Sequence, residues 1–117
     1  CTVAEPCRAL AYTCAGGRVA LRRLDGAPPA ALLAGPDRLG ARGDWLLEND
    51  RVAVVIDALD EPHDLATSGG AILDFAPAGG SDHINGIAVW AGVLPDDQFH
   101  YRDFTVIDDE LARIRGT

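Results

Sequence analysis

Three histidines and a scatter of carboxylates are the groups in this chain suited to acid–base or metal chemistry. His63 lies in Glu61-Pro62-His63-Asp64, with Asp60 just before it. An imidazole among carboxylates suits a metal ligand or a base of raised pKa. The loop is polar throughout, so the simpler reading is solvation. Asp82-His83 directly precedes a segment carrying Trp90. Carboxylates and imidazoles bind hydroxyls, and an indole stacks on the face of a sugar ring. Asp82, His83 and Trp90 are therefore the expected ligand-binding residues. The competing reading is that Asp82 forms an Asx turn and Trp90 packs. His100 shares a strand face with Arg102, most simply a polar face. The runs Asp96-Asp97 and Asp108-Asp109-Glu110 would suit Ca²⁺, but they lack the spacing of an EF-hand loop and read first as solvated turns. Ca²⁺ aside, no cofactor is expected. No G-x-S-x-G elbow, phosphate loop, Rossmann fingerprint or HExxH stretch occurs, and no residue is assigned a catalytic role.

Cys1, Cys7 and Cys14 are confined to the first fourteen residues. The chain has no methionine and opens on Cys1, followed by Thr2-Val3-Ala4-Glu5-Pro6, like a mature bacterial lipoprotein in which that cysteine is the lipid attachment point. The competing reading is a fragment boundary that falls on a cysteine. If Cys1 is lipidated, Cys7 and Cys14 could bridge only if the chain bends between them, since disulfide Cα atoms lie within about 7 Å; otherwise Cys1 pairs with one of them, or the thiols are small buried residues. The spacing fits no CxxC zinc site. No run approaches the roughly 18 apolar residues of a membrane span, so any membrane link is through the anchor.

These candidates must be held by strands. The 117 residues suit one domain, read as a tether over 1–6 and a single domain over 7–117. The firmest local signal is Trp45–Phe75. A two-residue turn at Asn49-Asp50 sets Glu48 opposite Arg51, Leu47 opposite Val52 and Trp45 opposite Val54. The following run, Val52–Leu59, is apolar on both faces, which predicts a central strand covered on both sides. Earlier, Arg8–Leu24 offers a hairpin about Gly16-Gly17. Residues 25–43 read as a crossover, with one helical turn through Ala30–Leu33. Later, Ala71, Leu73 and Phe75 are expected on one strand face, and Ile84–Val93 as a further strand with a bulge at Gly86. Phe99–Ile107 is another strand, its apolar phase breaking at Arg102-Asp103. The tail after Asp108 fits either a short helix or an edge strand over Leu111–Arg115. The fold class is all-β: an antiparallel β-sandwich of about seven or eight short strands with at most one or two helical turns.

The stretch from Leu47 through Asn49, Val52, Val54 and Ile56 to Gly69, Gly70, Ile72 and Phe75 resembles the opening strands of β-supersandwich, or galactose-mutarotase-like, domains. Such domains occur in sugar mutarotases, polysaccharide lyases and the C-terminal parts of some mannosidases. The resemblance covers about a quarter of the chain. It implies the sandwich fold and an association with carbohydrate. The family's catalytic His and Glu match no position here, and its domains are usually more than twice as long, so it implies no catalytic residue.

Net charge is −8, all ten basic residues are arginine, and no basic cluster exists. That argues against nucleic acid, whose phosphates must be neutralised, and against an anionic membrane surface. Arg-rich, Lys-free composition suggests a GC-rich bacterial gene. The expected function is a non-catalytic exported module at the cell envelope or outside it, serving adhesion, assembly or glycan contact. Its partners would be a glycan or surface protein, or a second copy through sheet edges. The alternative is a fragment of a carbohydrate-active enzyme, mutarotase-like or lyase-like, with its catalytic residues outside this chain.

Overall fold

The computed structural model describes residues 19–26, 33–63, 66–93, 97–108 and 111–116. The tether and the three cysteines, the Gly16-Gly17 turn, all but the last residue of the Ala30–Leu33 turn, and Asp96, Asp109 and Glu110 lie outside them. The fold is all-β. Six strands are described: β1 (Ala20–Arg23), β2 (Trp45–Glu48), β3 (Val52–Ile56), β4 (Ile72–Pro77), β5 (Tyr101–Asp108) and β6 (Leu111–Gly116). The first four form an antiparallel sheet in the order β1-β2-β3-β4, and β5-β6 form a separate antiparallel ribbon. Among the described residues no α-helix occurs, and none is long and apolar enough to cross a membrane.

The central hairpin forms, with its turn one residue later than expected. Leu47 faces Val54 and Trp45 faces Ile56, so the turn residues are Asp50-Arg51. The cause is Asn49. Its backbone N–H donates to the Val52 carbonyl (2.9 Å), while its side-chain Oδ1 accepts from Arg51 N (2.8 Å) and Val52 N (2.9 Å). The side chain thus takes the place of a backbone acceptor, the Asx habit that makes Asn a turn residue. A turn moved by one residue shifts the pairing by two, which preserves the side-chain faces.

Strand β3 lies between β2 and β4 and has one fully covered face. Leu46, Ala53 and Val55 join Leu24 and Leu73 in the buried core, with Leu33 and Leu39 packed against them. Val52 and Val54, on the other face, are half-buried, so the covering expected on both sides is only partial there. On that face Trp45 stacks on Phe104 of β5, with ring centroids 4.6 Å apart and planes 16° from parallel, and the Arg23 guanidinium lies over the indole. The covered face is crossed by the segment 33–40. Leu39 N and Gly40 N donate to the two oxygens of buried Asp74 at 2.7 and 2.9 Å, which satisfies backbone groups that have no sheet partner.

Two expectations need correcting. Leu73 has no partner where Val55 pairs with Asp74 and Ile56 with Ile72. This bulge buries both Leu73 and Asp74 and leaves Phe75 45% exposed, which breaks the expected Ala71-Leu73-Phe75 face. Ile84–Val93 is not a strand. Ile87 exchanges two hydrogen bonds with Ile72 of the sheet, while the Trp90–Gln98 bridge, with Ala91 N donating to Asp97 O and Phe99 N to Val89 O, pairs this run with the segment 97–99 outside the sheet. Gly86, with φ of 81°, turns the chain away from a continuous ladder. The break in β5 falls at Arg102, skipped between the Tyr101–Gly116 and Asp103–Arg115 pairs. The tail is the edge strand β6.

Candidate functional site

Asp57 directly follows β3 and is fully buried. Its backbone continues the ladder: Asp57 N donates to Ala71 O, and Gly70 N to Asp57 O. Its side chain closes the loop that follows. Oδ2 accepts from His63 N at 3.0 Å, and Oδ1 lies 2.7 Å from His63 Nδ1. Asp44, also fully buried and placed just before β2, does the same for the other loop, accepting from Ala41 N (2.7 Å) and Ala58 N (2.9 Å). The ligating atoms of Asp44, Asp57 and His63 all lie within 4.8 Å of one another, so these are the residues that would share a cation. All four carboxylate oxygens already accept hydrogen bonds, however, and a proton on His63 supplies a compensating charge without a metal.

The electrostatics follow from this packing. Burial pushes the Asp44 carboxyl above its ordinary 3.8, against the opposing effect of its two backbone donors. Asp74 is likewise raised by burial, and the nearby Asp82 adds to the effect. For His63, burial alone would lower the pKa, but the Asp57 hydrogen bond and the charges of Asp44, Asp57 and Glu61 together lift it above 6.5. All three groups bind protons more tightly in the folded chain. The stabilisation from Asp44 and Asp74 is complete below pH 3.8 and is lost as pH climbs through their raised native values; that from His63 is complete below 6.5 and is lost above it. Urea midpoints should therefore fall as pH rises from below 6.5 to well above it. A midpoint that rises over this range would contradict the assignment.

His63 is 28% exposed and forms one wall of a cleft of about 200 Å³, which Ile72, Leu73, Asn85, Trp90 and Gln98 also line. With Nδ1 tied to Asp57, Nε2 has no partner among the described residues. Gln98 is buried, and its Oε1 accepts from both Thr67 N and Thr67 Oγ1. That fixes the amide so that its nitrogen is the group left to donate. Trp90 stands at the cleft 40% exposed.

Of the three expected ligand-binding residues, Trp90 lines the cleft, whereas Asp82 and His83 do not. Asp82 is fully buried and makes an Asx turn, its Oδ1 accepting from Phe75 N (2.9 Å) and Ile84 N (3.4 Å). His83 is exposed. His100 meets Thr67 Oγ1 at 3.3 Å, and Asp97 accepts from Val93 N at 3.1 Å. His63, read as solvated, is instead held by a buried carboxylate. Asp44, Asp57 and Gln98 were not singled out. The one available signal was an aspartate closing an apolar strand six residues before a histidine.

No protein-family model, curated protein or solved structure matches this chain.

Proposed function

We propose that the chain is a β-sheet binding module whose cleft contacts a glycan. The observation that carries this reading is Trp90, 40% exposed beside a cleft whose polar groups are the His63 imidazole and the amides of Asn85 and Gln98. An indole covers the apolar face of a sugar ring while amides and an imidazole meet its hydroxyls, with no net charge demanded of the ligand. The volume, about 200 Å³, is below the range of about 300–1,000 Å³ usual for small-molecule sites. It suits one sugar ring or a chain end. The resemblance of the opening strands to carbohydrate-associated domains supports the same ligand class.

Isothermal titration with a panel of neutral mono- and oligosaccharides tests this. At least one should bind, and Trp90→Ala should weaken it by about tenfold, the effect of losing one stacked ring. Failure of every sugar in the panel, or unchanged affinity in Trp90→Ala, would exclude the reading.

A further inference from the structure

We propose that the cleft hydrolyses small acyl esters, with His63 Nε2 as the general base that activates water and the Gln98 amide nitrogen as the donor to the developing oxyanion. This goes beyond the glycan reading and holds whether or not the acyl group is carried on a sugar.

The geometry has the parts this reaction needs. A base must be oriented by a third group, and Asp57 holds the imidazole by its side chain at 2.7 Å and its backbone at 3.0 Å. A proton donated from Nδ1 to Asp57 fixes the tautomer in which Nε2 carries a free lone pair. An oxyanion needs a donor that does not reorganise, and Thr67 locks the Gln98 amide by two hydrogen bonds to its oxygen. Apolar side chains line most of the rest of the cleft and suit a short acyl chain. The nucleophile proposed is water, activated at His63 Nε2.

The step balances without a cofactor. Water oxygen bonds to the ester carbonyl carbon while Nε2 takes one water proton, and the carbonyl oxygen becomes an anion facing Gln98. Collapse of this intermediate breaks the bond to the alcohol oxygen, which leaves with the proton held on Nε2. The acid departs, and His63 returns to its neutral form. His63 is the catalytic residue; Asp57 acts through it as a positioning residue.

Hydrolysis of p-nitrophenyl acetate by the whole chain is the test, with free imidazole at equal concentration as the reference. The protein should exceed that reference by about a hundredfold, the usual size of a positioned general base. The reaction should slow in D₂O. His63→Ala and the bulkier His63→Gln, each checked for folding by circular dichroism, should both lose this advantage, and added imidazole should partly restore it in His63→Ala. The charges facing His63 come from Asp57, Asp44 and Glu61. The rate should therefore rise with pH through a midpoint above 6.5, and Asp57→Asn should move that midpoint down, which a purely structural role would not do. A wild-type rate no greater than free imidazole, or an undiminished rate in His63→Gln, would overturn the proposal. Because the probe carries no sugar, its outcome is independent of glycan binding.

Discussion

Gly69→Ala should remove a large share of the chain's stability. A Cβ at Gly69 would land on the carbonyl of Ala58 and on the Cα of Leu59, backbone atoms that no rotamer change can remove. Nor can that backbone retreat easily. Ala58 N is bonded to Asp44 at 2.9 Å, and Gly70 N to the Asp57 carbonyl at 3.0 Å, so the two chain segments are drawn together on either side of the contact. The expected cost is about 4 kcal/mol or more, the range reached only when a packed region cannot relax. Domains of this size are stable by about 5–15 kcal/mol, so such a loss removes a large share of the whole. Gly79→Ala is the control. Its Cβ meets nothing within 4 Å, although φ is 70°, and the left-handed backbone should cost only about 1–2 kcal/mol. Urea denaturation of both variants decides the matter. A Gly69→Ala protein within about 1 kcal/mol of wild type would show that the loop does not approach the strand so closely.

Asp57→Ala should produce the second largest effect, about 2–3 kcal/mol, as expected when a part-buried backbone N–H and a partly buried ring nitrogen lose their acceptor. His63 would lose the acceptor of its backbone N–H and of its ring Nδ1 at once. Asp57→Asn should be much milder, since an amide oxygen can still accept one of those bonds. The difference between the two variants in thermal unfolding measures the hydrogen bonds apart from the charge. Equal stability of Asp57→Ala and wild type would mean that the loop 58–63 is held by something else.

The sheet was far more legible in the sequence than the site. Alternation from Trp45 to Ile56 defines the faces of the hairpin, and those faces survive the displaced turn because the pairing moves by two. Where the expectation failed, the cause was local: the Asn49 side chain took the place of a backbone acceptor and moved the turn, and an extra residue at Leu73 shifted the β3–β4 register and exposed Phe75. Neither device has a periodic signature. The apolar run Ile84–Val93 reads as a strand by composition, yet a strand needs a continuous neighbour, and among the described residues it forms isolated bridges at Ile87 and Trp90 instead.

The site was harder for a related reason. Polar composition around His63 implies solvent, and composition cannot register that Asp57 is carried under the loop by the end of β3. Asp44 and Asp57 lie thirteen residues apart in sequence and meet only through the antiparallel β2–β3 pairing. Trp90 lines the cleft beside His63, Asn85 and Gln98, and not beside Asp82-His83. Asp82 instead serves the backbone of Phe75 and Ile84.

Long-range ¹H–¹⁵N NMR of the His63 ring across a pH titration tests the Asp57–His63 unit most directly. A tethered imidazole should titrate above 6.5, and in its neutral form should carry the proton on Nδ1 with Nε2 bare. Titration at or below 6.5, or a neutral ring protonated mainly on Nε2, would contradict the site.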